Sequence, residues 1–213
     1  MKIIKVNKEN LLQKIELYSI YVFILFFFII CSNYIKDFGV TLDDEIYYLN
    51  GLNSYEYVKN LFLSSFNKNI DIYVYKNKLK EWPIIFEFIL AFTSDIFGIK
   101  KIDEIYLLSH QINFTIFCLS LIFFYKLIQK KYNNFYLSFI SILLIILSPR
   151  IFGESFYNSR DIFFMSLFIF FSYSAYNFLE KRNYSKLIVF SFFSALLINT
   201  KILGIIPIGL FSL

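Results

Sequence analysis

The sequence predicts an all-α, polytopic transmembrane helix bundle of about five to six spans, with juxtamembrane helices in its first outer loop. Three observations point there. Hydrophobic residues make up 58% of the 213 residues and aromatics 22%, and the mean hydropathy is +0.59, an apolar share well above that of an ordinary soluble domain. Several apolar stretches approach the roughly 20 helical residues that cross a hydrocarbon core of about 30 Å. Lysine and arginine collect in short segments between those stretches, as they do in cytoplasmic loops.

Residues 17–34 form the first span and carry no charge. Its apolar run is longer than a signal-peptide core and no small-residue cleavage site follows it, so it is expected to stay in the protein. Residues 35–105 then form a long outer loop. Asp37, Asp43, Asp44 and Glu45 lie soon after the membrane exit. Residues 45–62 read as an amphipathic helix with Ile46, Leu49, Leu52, Tyr55 and Val58 near one face. Residues 84–99 are apolar but short and contain Glu87 and Asp95, which marks an interfacial helix rather than a span.

The second span is 106–127, with polar Ser109, His110, Gln111 and Asn113 near its start; spans three and four are 135–152 and 162–179. Residues 187–202 make a fifth, and 204–213 begin a sixth. The chain stops inside that apolar run, as expected of a fragment of a longer protein or of a truncated gene. Lys2, Lys5, Lys8 and Lys14, then Lys126, Lys130 and Lys131, then Lys181, Arg182 and Lys186 all fall on one side of this topology. That side is the cytoplasm by the positive-inside rule, which makes the protein a multi-pass plasma (inner) membrane protein with a cytoplasmic amino terminus. No nucleic acid is needed to explain the net charge of +5, because basic loops face anionic lipid headgroups. The absence of repeats and flexible linkers makes residues 1–213 a single transmembrane unit.

Candidate chemistry gathers on the outer face. Asp43 and Asp44 read either as helix caps or as a carboxylate base acting on a hydroxyl at the membrane surface. The turn between spans three and four holds Arg150, Glu154, Arg160 and Asp161, a costly place for charge unless it is paired or lines a polar cavity. Ser159 and Asp161 read equally as caps of span four, while two arginines in so short a turn suit a phosphate or carboxylate. Lys201, near the outer end of span five, either snorkels to the interface or meets a partner there. His110 reads as a polar residue facing the bundle interior rather than a ligand. Cys31 and Cys118 lie within spans and read as small packing residues, with neither a disulfide nor a zinc site implied. The glycosylation sequon at Asn113 lies inside a span and carries no weight.

In order along the chain, these residues resemble the amino-terminal half of the GT-C class of polytopic glycosyltransferases. The likeness is to the bacterial branch related to protein O-mannosyltransferases and to the transferases that place aminoarabinose on lipid A. Asp44-Glu45 in LDDEIYYLNGL matches an acidic pair in the first outer loop. EWPIIFEFILAFTSDIFG matches a proline-containing lead into a juxtamembrane helix, with Pro83 where the family often has two prolines. Asp161 in SRDIFFMSLFIF matches an acid that begins span four, and Lys201 in NTKILG a Lys-Gly-like end to span five.

The resemblance implies transfer of a sugar from a polyprenyl-phosphate carrier to an acceptor hydroxyl at the outer membrane face. Asp44 would be the catalytic base. Arg160 and Lys201, with Arg150, would contact the phosphate; Asp161 would orient the acceptor or a cation, and Glu45 would support the helix start at the substrate site. The implied donor is a polyprenyl-phosphate sugar held in membrane lipid. No metal is required by this scheme, and a divalent cation stays open. Neither the sugar nor the acceptor is specified, the acceptor being a protein, lipid A, a wall polymer or another lipid. Two other classes compete: a transporter subunit, which predicts broken helices with polar groups near the bilayer midplane, and an inactive or non-catalytic membrane protein.

Overall fold

The structure, a computed structural model, describes residues 2–41, 44–66 and 84–212. Among them every regular element is helical: α1 Lys2–Ser32, α2 Asp44–Phe66, α3 Ile85–Phe97, α4 Ile102–Tyr132, α5 Phe135–Ile146, α6 Pro149–Tyr157, α7 Asp161–Glu180, α8 Tyr184–Thr200 and α9 Ile205–Ser212. Short 3₁₀ turns occupy Ile35–Asp37 and Ile202–Gly204. Asp43 and Pro83 lie outside the described residues.

Three helical segments are long and apolar enough to cross a membrane: Lys14–Asp37, Ile102–Tyr132 and Asp161–Glu180. α1 shows how apolar their outer surface is. Ile20 and Ile24 pack inward, while Tyr18, Val22, Leu25 and Ile29 form an exposed stripe of large apolar side chains on the other side. A helix that is apolar all round is stable only where every face is away from water.

The third expected span, 135–152, is not one straight helix. It breaks at Leu147 and Ser148, and α5 and α6 meet at a bend of 66°. Pro149 is the cause: it has no N–H to continue α5 and forces the residue before it out of helical geometry, so Ser148 is extended at φ −69° and ψ 112°. The pair counts as a fourth crossing only if taken together. The expected fifth span is the 17-residue α8, about 25 Å long at 1.5 Å per residue.

Polar residues punctuate the bundle where sequence rules place them. Asn134 and Asn183 cap α5 and α8, accepting from Leu137 N at 3.0 Å and Lys186 N at 2.9 Å. Asn133 ends α4 with φ 48° and Gly98 ends α3 with φ 65°, the left-handed geometry that closes a helix.

The lysine-rich helix ends share one end of the bundle. Lys130 of α4 pairs with Glu180 of α7 and donates to Asn177 Oδ1 at 2.6 Å, and Lys186 of α8 donates to the Asn177 carbonyl at 2.9 Å. Lys126 of α4 sits over the Tyr21 ring of α1. α4 and α7 therefore run in one direction and α1 and α8 in the other. The main core lies between α1, α4, α5 and α6, where Phe38, Phe156 and Phe114 stack with ring separations of 4.4 and 4.9 Å. Cys31 and Cys118 are buried in the same core as free thiols.

At the opposite end, α2 and α3 lie across the starts of α4 and α7. Tyr48, Leu90 and Ile105 form one small core there, and Phe86 joins Phe163, Leu167, Phe171 and Leu197 in another. The inward face of α2 is offset from the expected one: Tyr48 and Gly51 are buried, whereas Ile46 and Leu49 are about half exposed, at 51% and 48%. Gly51 explains the offset, because it lets the α2 backbone rest directly on α3. A Cβ at Gly51 would lie 2.4 Å from Glu87 Cβ and 2.6 Å from Glu87 C.

Candidate functional site

The end of the bundle away from the lysine clusters contains a cavity of about 260 Å³, lined by Glu87 of α3, Ser159 and Arg160 of the α6–α7 turn, and Thr200 and Lys201 at the end of α8, with Phe86 and Leu203 among its apolar walls. Each polar group arrives there for a local reason. α7 begins at Asp161 because Asn158 folds the preceding turn: its Oδ1 accepts from Arg160 N at 3.3 Å and Asp161 N at 3.0 Å, and its Nδ2 donates to Asp161 Oδ2 at 3.1 Å. That turn leaves Arg160 facing the cavity, where its guanidinium stacks on the ring of Tyr47 in the first turn of α2. Such a cation–π contact contributes about 0.5–2 kcal/mol, more as it is desolvated.

Lys201 is placed by a break in the opposite direction. Its backbone is extended, φ −152° and ψ 137°, between α8 and the 3₁₀ turn. Gly204 makes the return possible: a Cβ there would lie 2.6 Å from the Leu197 carbonyl oxygen. The Lys201 ammonium pairs with Asp161 Oδ1 and lies 5.6 Å from the centre of the Phe164 ring. The two readings of Lys201 are thus resolved toward a partner, and Asp161 both begins α7 and holds the lysine at the cavity.

Sequence reasoning used Glu87 only to mark an interfacial helix. The structure makes it the acid of the cavity, 6% exposed. Burial pushes its carboxyl above the ordinary carboxylate range; its own backbone N–H and the nearby Arg160 oppose the shift, and Asp44 adds to it. The available signal was a carboxylate in the apolar run IIFEFIL, a residue type rarely buried unless it is used. Tyr47, Ser159 and Thr200 carried no comparable signal.

The remaining candidates sit around this cavity at different distances. Asp44 starts α2 one turn before Tyr47, close enough to Glu87 to act on its charge. Its N–H donates to the Thr41 carbonyl at 3.2 Å, and its Oδ2 accepts from Thr41 N at 2.8 Å, so its carboxylate holds the segment just before the helix. Glu45 is exposed in the same first turn. Arg150 is not among the lining residues; it is 82% exposed and pairs with Glu154 one turn away at 2.9 Å. His110 is buried on α4, and Asn113 donates to the Ser155 carbonyl of α6 at 3.0 Å.

A second polar contact fixes α3 against α2. Tyr55 Oη and Lys59 Nζ both donate to Asp95 Oδ2 at 2.6 Å, which holds the Asp95 carboxyl below its ordinary range, chiefly through Lys59. With Gly51 beneath Glu87, α3 is held at both ends.

The cavity thus joins two cations, Arg160 and Lys201, with a buried acid and two hydroxyls. Such a set binds an anionic oxygen group and hydrogen-bonds what is attached to it. Comparison of the chain with protein-family models, with curated proteins and with solved structures finds no match in any of the three.

Proposed function

We propose that this chain is the amino-terminal membrane part of a glycosyltransferase that moves a sugar from a polyprenyl-phosphate donor to an acceptor hydroxyl at the outer face of the plasma membrane. The observation that carries the proposal is the cavity in which Arg160 and Lys201 meet at the end of the bundle opposite the lysine clusters. With the lysine end in the cytoplasm, that cavity opens at the outer surface. The α5–α6 pair, α8 and α9 then complete five to six crossings, and α2 and α3 lie at the outer interface.

In this scheme the bond between the sugar's anomeric carbon and the phosphate oxygen breaks while a bond to the acceptor oxygen forms. The leaving phosphate keeps the electron pair, and Arg160 and Lys201 stabilise its charge. Asp161 holds the Lys201 ammonium in place. Asp44 takes the acceptor proton, with Thr41 N–H holding its Oδ2. A gathering of charge at one end of the bundle fits this chemistry better than a transport path, which needs its polar groups at mid-depth.

The test is transfer of radiolabelled hexose from a prenyl-phosphate donor by protein reconstituted in liposomes with a membrane extract as acceptor. Asp44→Asn keeps the size of the side chain and removes its basicity, and is expected to abolish transfer. Unchanged transfer by a folded Asp44→Asn protein removes Asp44 from the mechanism. Failure of the wild-type chain to bind the donor ends the proposal.

A further inference from the structure

Glu87 is the acid of the cavity lining and the transfer scheme leaves it unused, and its setting is unlike that of the other acids. The ion pairs among the described residues are Lys59–Asp95, Lys101–Glu104, Lys130–Glu180, Arg150–Glu154 and Lys201–Asp161. Glu87 belongs to none of them and is nevertheless buried at 6% exposure. Removing a carboxyl from water is expensive, and its own backbone N–H and the nearby Arg160 offset only part of that cost. The fold makes no provision to let it escape: Gly51 seats the α2 backbone against the Glu87 backbone and Cβ, and Asp95 is tied to α2 two turns further along α3. Its carboxyl is left facing the same cavity as Ser159, Arg160, Thr200 and Lys201.

Resting on the function proposed above, we infer that Glu87 is the specificity-determining residue of this pocket, selecting a phosphate that carries a hydroxylated group over a bare phosphate. An ionised carboxyl only accepts hydrogen bonds, and a neutral one can also donate. Sugar hydroxyls satisfy either form. A phosphate oxygen satisfies only the neutral form and repels the ionised one. The pocket therefore has a cationic wall for the phosphate and an acidic wall for the substituent beside it. Its volume of about 260 Å³ is just below the roughly 300–1,000 Å³ of drug-sized ligand sites, which suits one headgroup with the lipid chain left outside. A site built to hydrogen-bond a hydroxyl rejects the analogue that lacks it, because its buried polar group is then left unsatisfied.

The test measures binding of two soluble probes to the whole chain in lipid nanodiscs: citronellyl phosphate, and citronellyl phosphate esterified to a hexose. Wild type is expected to prefer the hexose ester. Glu87→Gln and Glu87→Ala are each expected to weaken the ester by about tenfold to a hundredfold, the loss of one hydrogen bond to a charged group, while holding or improving affinity for citronellyl phosphate. Lys201→Met is expected to weaken both probes. Glu87 variants that melt like wild type and bind both probes like wild type overturn the role of Glu87 and leave the transferase proposal standing. Wild-type protein that binds neither probe overturns both.

Discussion

Adding one methyl group at Gly51 tests how α2 and α3 hold the cavity. In Gly51→Ala the new Cβ would lie 2.4 Å from Glu87 Cβ, 2.6 Å from Glu87 C and 2.7 Å from Glu87 O. Carbon atoms rest at about 3.5–4.0 Å, so the crossing must open by about 1 Å. Two of the three obstructing atoms are backbone, and no rotamer change relieves them. Such overpacking destabilises by about 1–3 kcal/mol, and alanine in a helix interior returns about 1 kcal/mol relative to glycine. A net loss of up to about 2 kcal/mol is expected, a factor of up to about 30 in the folded population. Gly153→Ala is the control: it lies within α6 and nothing comes within 4 Å of its Cβ, so only the propensity gain should appear. Denaturant titration of both variants in nanodiscs reads the difference, and donor binding reads the displacement of Glu87 from Arg160. Equal stability of Gly51→Ala and Gly153→Ala would refute the close α2–α3 contact and with it the placement of Glu87.

Gly204→Ala meets the Leu197 carbonyl oxygen at 2.6 Å and Ile198 N at 2.9 Å, and is expected to destabilise by a similar 1–3 kcal/mol or so and to weaken donor binding by shifting Lys201, both measurable in the same titrations. Glu87 should give stability a pH slope: with its carboxyl raised by burial, the native chain holds more protons than the unfolded one, so its contribution is full below the ordinary glutamate value of about 4.3 and is lost as pH rises through the raised value. Glu87→Gln should remove that slope, and a Gln variant with the wild-type pH profile counts against the burial of Glu87. A double-mutant cycle on Asp161→Asn and Lys201→Met should return a coupling of only about 0.2–1 kcal/mol, since Asp161 and Lys201 keep 48% and 31% of their side-chain exposure; a larger value would mean that the pair is shielded from solvent by lipid.

Long apolar helices were readable because lipid demands a simple pattern. Ile20 and Ile24 face protein and Val22 and Leu25 face outward, yet all are apolar, so composition alone marks α1, α4 and α7. Lysine placement was readable for the same reason: Lys126, Lys130 and Lys186 meet at one end of the folded bundle. The break at Ser148 was legible in principle, since Pro149 stands in the run, but hydropathy ignores hydrogen bonding and reads straight through it. Pairing across distance was harder. Asp161 and Lys201 are 40 residues apart, and only the antiparallel packing of α7 and α8 makes them neighbours. Glu87 was hidden by a surface interpretation of its helix. Its burial follows from Gly51, and nothing local to either residue reveals that the two backbones touch.

The kink at Pro149 bears on the bilayer as well as on the chain. α5 has 12 residues, a rise of about 18 Å, and the nine residues of α6, tilted by 66°, add about 5 Å along the same direction. Together they fall about 7 Å short of a typical hydrocarbon thickness. Lipid accommodates a short wall by thinning, at a fraction of a kcal/mol per Å. If the bent pair crosses the bilayer, the headgroup layer on that flank should sink toward the protein, which brings polar molecules of the adjoining leaflet closer to the depth of the α6–α7 turn than they would come beside α4.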